Sequence, residues 1–212
     1  MGAFEDFGAN EELTALVGFG LRHVARALAL FQADQTTGSR VCYWRGFALW
    51  RRALNGFNAS AGPAELDRDL HLAMRHFDDA LVQDRTLVEA RIGKASCIGN
   101  LIFLHSQEPS VAQDLIRQGV ALIYEIKAAA PENPRFLWVL GSFQWNTPND
   151  KAGGQARATA TYQKGLEICK MQKGTSSDPL DPSWGEPELL MSLAWSNLNR
   201  STPDLVAADQ YA

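Results

Sequence analysis

The stretch "NTPNDKAGGQA", residues 146 to 156, sets two adjacent glycines, an aspartate and a lysine between two segments of helical pattern. Glycines let backbone N–H groups converge on an anion, and a helix N-terminus behind them adds the positive end of its dipole. A phosphate-binding P-loop requires Gly-x4-Gly-Lys-Ser/Thr after a strand, so that backbone donors and a lysine wrap the phosphates. Here Gly153-Gly154 is followed by Gln155-Ala156-Arg157, and helical sequence comes before it. A structural loop is the simpler reading. An anion at the helix start, with Arg157 in its first turn, is the alternative.

Other reactive side chains are scattered. His23, His71, His76 and His105 form no i, i+4 pair, and His71 and His76, five apart, point to different sides of a helix. Asp67, Asp69, Asp78 and Asp79 lie nearby and read as an acidic helix face. Cys42, Cys97 and Cys169 are odd in number, far apart and set in apolar patterns, as buried thiols are. Glu186 and Glu188 suit a helix N-terminus better than acid–base work. No nucleophile has a local base. The expectation is therefore a non-enzymatic chain with no metal and no cofactor.

The aromatic constellation is richer. Trp44, Trp50, Trp138, Trp145, Trp184 and Trp195 are many for 212 residues. Tryptophan fills cores between helices, and it also anchors partners in binding sites. Trp138 and Trp145 are seven apart and so share one helix face, with Arg135 close by.

Composition narrows the classes. Hydrophobic residues make up 46% and charged residues 21%, with a formal net charge of -4. That balance gives no global footprint for nucleic acid, despite local clusters such as Arg45, Arg51 and Arg52. No stretch approaches the ~18 apolar residues of a membrane span. The opening "MGAFEDFGANEEL" is acidic and lacks the pattern of a signal peptide, which predicts a cytoplasmic protein. An export signal removed ahead of Met1-Gly2 would make it periplasmic instead.

The elements that must position these groups are helices. All nine prolines fall between stretches of helical periodicity or at their starts, and alternating β-branched runs are absent. The pattern predicts helices over 10–33, 40–56, 65–83, 87–105, 110–130, 134–146, 154–172 and 186–200. Thr86 with Glu89, Ser110 with Gln113, and Ser183 with Glu186 fit capping boxes, and Asn133-Pro134 an N-cap followed by proline. Gly56 and Gly174 stand where left-handed C-terminal caps are expected.

"MRHFDDALVQDRTLVEA", residues 74 to 90, resembles the tetratricopeptide repeat, with Ala73, Phe77 and Ala80 at its small–aromatic–small spacing and Arg85 where the family has proline. The spacing returns at Ala158, Tyr162 and Gly165. It is blurred at Gly119, Ile123 and Ile126, while Ala95 and Gly141 match the small residues of first helices. The physical basis is that helices cross closely only at a small residue, with an aromatic filling the space beside it. The resemblance implies an all-α fold of antiparallel hairpins stacked as a short right-handed solenoid of about eight helices, in one domain over 1–212. Its parts would be a leading segment 1–39, hairpins 40–83, 87–130 and 134–172, a long loop with closing helix over 173–200, and a tail 201–212.

A narrower resemblance covers "NPRFLWVLGSFQWNTPNDKAGGQARATATYQKGLE" and "DPLDPSWGEPELLMSLAWSNL". These are similar to a largely uncharacterised group of bacterial tetratricopeptide-like proteins with a Tyr-Thr-Pro…Gly-Gly-Gly loop and a Pro-x-Trp-Gly segment. Many of that group look exported. The tetratricopeptide resemblance implies a concave groove lined by Arg45, Leu49 and Arg52, then Ile92 and Ser96, then Arg135, Trp138, Ser142, Trp145 and Asn146. A chaperone carboxylate clamp of that family would carry lysine and asparagine where this sequence has Ile92 and Ser96, and Trp138 and Ser142, so that specialised function is not implied.

Three functions follow. The leading one is a scaffold that binds a protein or peptide in that groove. The second is a small-ligand or transport-accessory protein, with a pocket beside Trp138, Trp145, the 146–155 loop and the 178–185 segment. For that pocket the loop candidates are Thr147, Gly153, Gly154, Arg157 and Trp184. The third is a subunit of a homo-oligomer, packed through Phe4, Phe7 and the leading helix.

Overall fold

The computed structural model describes residues 35–172 and 180–211. Among them are eight α-helices and no strand. They are α1 (Gln35–Asn58), α2 (Pro63–Gln83), α3 (Val88–Leu104), α4 (Pro109–Ala129), α5 (Pro134–Trp145), α6 (Gln155–Gln172), α7 (Glu186–Asn199) and the short α8 (Leu205–Asp209). The all-α expectation holds, and its helix limits are met within a few residues, apart from the earlier start of α1 and the unforeseen α8. The expected helix over 10–33, with Phe4, Phe7 and His23, lies outside the described residues, as do Gly174 and the start of the 178–185 segment.

Proline decides several helix starts. Asn133 caps α5 as expected, its side-chain oxygen accepting from the N–H groups of Arg135 (2.9 Å) and Phe136 (3.3 Å). The Ser110 cap is corrected: α4 begins at Pro109 with Glu108 at its N-cap. Proline has a helical φ and no N–H to satisfy, so the helix starts there and Ser110 falls inside its first turn. At α7 the cap is Gly185 rather than Ser183, and the Glu188 carboxylate accepts the Gly185 N–H at 2.8 Å. Before α3, Asp84 accepts both the N–H and the hydroxyl of Thr86, at 2.8 and 2.6 Å, so aspartate organises that turn. Gly56 is no C-cap either, for α1 runs on to Asn58 and the left-handed residue is Ser60 (φ 56).

The described helices cluster into two compact units, divided within α3 between Gly93 and Lys94. In the first, Cys42 meets Gln83, Gly46 meets Phe77, and Arg52 meets Asp69, so α1 and α2 run antiparallel. Ala73, Phe77 and Ala80 are fully buried. The Phe77 ring lies against both Gly46 and Gly93, where a Cβ would collide with it. Tyr43 and Trp50 complete this core.

The second unit repeats the device with other partners. Tyr162 of α6 lies on Gly141 of α5, Leu189 of α7 on Gly165 of α6, and Phe143 of α5 beside Gly99 and Gly119 of α3 and α4. Each contact brings two helices together at a missing side chain, and so positions the aromatic end of α5.

Candidate functional site

The loop after α5 is built around its own backbone. The Thr147 hydroxyl donates to the Phe143 carbonyl (2.7 Å), and a 3-10 turn over Asn149–Lys151 follows. The N–H of Gly153 donates to the Pro148 carbonyl at 3.1 Å, and that of Gly154 to the Gln144 carbonyl at 2.8 Å. Both glycine donors, which an anion would need, are therefore used inside the loop. Gly154 has φ 102 and lies against the Asn149 side chain, a position with neither the dihedral nor the space for a Cβ. Arg157 is exposed in the first turn of α6.

Along α5 the aromatic residues divide. Trp138 is 9% exposed, and its indole N–H donates to the Ser192 hydroxyl of α7 at 2.9 Å. Trp184, equally buried, meets it edge to face with centroids 5.9 Å apart. The Arg135 guanidinium sits 5.9 Å from the Trp184 ring centroid and donates to the Trp184 carbonyl at 3.3 Å. Ser142 and Tyr162 share a hydrogen bond of 3.2 Å. Burial raises the Tyr162 phenol above its ordinary pKa, while hydrogen bonds with Ser142 and Ser192 pull it the other way. The 184–185 segment is thus fastened to α5 and α7 as a knot of satisfied polar groups.

Trp145, at the other end of α5, pairs with Trp195 of α7 at 5.0 Å between centroids and 62° between planes. Trp195 is 50% exposed. Met191 and Leu198, one turn before and after it on the same face of α7, are exposed as well. Asn146 follows Trp145 at the helix end, exposed, with its amide donating to the Ser142 carbonyl. This is an open apolar surface with two indoles at its centre.

The other groove candidates are placed differently. In the first unit, Arg45 is exposed, Leu49 half-buried and Ile92 fully buried. Arg52 is committed to the buried Asp69 by two hydrogen bonds of 2.6 and 2.7 Å. In the second unit, Ser96 is buried. The structure brings together the buried Trp138 and Trp184 with the half-buried Arg135 and Ser142, and sets the half-buried Trp145 beside the exposed Asn146 at the helix end. Sequence reasoning missed Trp195 as the partner of Trp145, with Met191 and Leu198 beside it. The i, i+4, i+7 spacing in "MSLAWSNL" was the signal.

No family model matches the chain, and no curated protein does. A solved structure does: the HusA haemophore from Porphyromonas gingivalis, with a TM-score of 0.67 and 19% sequence identity. The likeness covers 97% of this chain and 99% of that one. At that identity it is a likeness of fold. No described helix is long and apolar enough to cross a membrane.

Proposed function

We propose that this chain is a non-enzymatic binder of a small, flat, apolar ligand of the haem class, taken up on the Trp145–Trp195 surface. The observation that carries the reading is the pairing of the half-buried Trp145 with the half-exposed Trp195, flanked by the exposed Met191 and Leu198, in a fold that matches a haemophore from end to end. A macrocycle stacked on Trp195 would gain aromatic contact and cover apolar surface that now faces water. Haem is cargo here, and no chemistry is performed on it. Such a carrier belongs with the exported alternative rather than the cytoplasmic one. The haemophore likeness supports this reading over a peptide groove, as does the burial of Ile92, Ser96 and Trp138, which takes those side chains out of reach of a docked peptide.

The test is a titration of the full chain with haem and with iron-free protoporphyrin, followed by tryptophan fluorescence and by the porphyrin absorption band. Saturable binding of either probe is expected, weakened by about tenfold or more in Trp195→Ala, since one base-sized aromatic stack contributes ~1–3 kcal/mol. Absence of saturable binding, or an unchanged affinity in Trp195→Ala, would overturn the assignment.

A further inference from the structure

We propose that the Met191 thioether is the iron ligand of the Trp145–Trp195 surface, so that the chain distinguishes haem from an iron-free porphyrin, a step that rests on the haem-class reading above. Met191 is 61% exposed and precedes Trp195 by four residues on α7. Residues four apart stand one above the other on a helix, with Cβ atoms about 5–6 Å apart. A helical side chain leans back toward the N-terminus, so the Trp195 indole extends over the turn that carries Met191. A macrocycle is wider than an indole. Stacked on Trp195, it overhangs that turn and brings its central metal to the sulfur.

The neighbours on α7 single out this atom. Leu198 has no donor. The Ser192 hydroxyl accepts the Trp138 N–H (2.9 Å), and the buried Glu188 carboxylate accepts the Gly185 N–H (2.8 Å). Asn199 turns its amide back to the Trp195 carbonyl (2.9 Å). Elsewhere in the second unit, Tyr162 is buried and bonded to Ser142, and His105 is bonded to Glu108 at 2.7 Å. A thioether gives iron a lone pair without losing a proton. It is a soft donor that favours the reduced metal, as the methionine of c-type cytochromes does. Its flexible apolar stem also fits against the macrocycle.

The test titrates the full chain and Met191→Leu, which keeps the side-chain volume but loses the sulfur, with haem and with iron-free protoporphyrin. The unaltered chain should bind haem at least about tenfold more tightly than protoporphyrin. Met191→Leu should bring the two affinities together by weakening haem alone, and the midpoint potential of the bound haem should fall. Because the thioether carries no proton, the ratio of affinities should persist down to about pH 5, where a histidine ligand would be protonated. Equal affinity of the unaltered chain for both probes would overturn the ligand assignment and leave the indole surface standing. So would an equal weakening of both probes in Met191→Leu, or an iron preference that survives that substitution or vanishes by about pH 5. Binding of neither probe to the unaltered chain would instead remove the reading on which the assignment rests.

Discussion

Trp138 and Trp145 stand seven residues apart on one helix and face the same side, yet their surroundings are opposite. The first is locked under Trp184 with its N–H given to Ser192, whereas the second meets the edge of a half-exposed Trp195. The helix is the same. What differs is what arrives from later in the chain. The "SWGE" turn, held by Arg135 and Glu188, closes over the beginning of α5, whereas the indole near its end meets the half-exposed Trp195 of α7. A shared face therefore guarantees neighbours on one helix, but not a shared environment.

The contrast can be broken most sharply by truncation. Trp138→Ala should cost about 3–5 kcal/mol in urea unfolding, since it leaves a cavity beneath Trp184 and strips Ser192 of its donor. Trp195→Ala should cost no more than about 1 kcal/mol, because half of that ring already faces water. Equal losses from the two would mean that both pairs are core. An intermediate effect is expected at Gly154→Ala in the loop that joins the two ends. A φ of 102 strains an alanine by about 1–3 kcal/mol, and the added methyl meets Asn149, so the melting temperature should fall without loss of helicity.

The smallest effect lies in pH. The Tyr162 phenol is raised above its ordinary value by burial, so the folded state keeps the proton that the unfolded chain gives up near pH 10. The stabilisation is therefore complete below the unfolded value and is lost as pH rises through the folded one. Tyr162→Phe should cost about 1 kcal/mol at neutral pH through the lost hydroxyl bonds, and should flatten the alkaline decline in melting temperature between pH 9 and 11. An unchanged decline would place its origin outside the knot.

Much of the fold was legible because its signals are local. Proline cannot sit inside a helix, so its positions marked the gaps. Asn133-Pro134 encodes a cap within three residues, and Phe77 lies between small residues at helical spacing. One misplaced cap has a local cause. Where a proline and a hydroxyl compete for a helix start, as at Pro109 and Ser110, the fixed φ and missing donor of proline decide it.

The site was legible in kind, not in place. Six tryptophans announced an aromatic centre, and the 146–156 loop marked a region worth inspecting. That Gly153 and Gly154 spend their donors on Pro148 and Gln144 could not be read from their spacing. Nor could the pairing of Trp145 with a residue fifty positions later. By itself, the sequence determined an all-helical chain, its interruptions and the close-packing points between neighbours, because backbone sterics and side-chain period act over a few residues. Tertiary structure alone decided which indole is covered and which stays open, because burial depends on which distant segment packs above it.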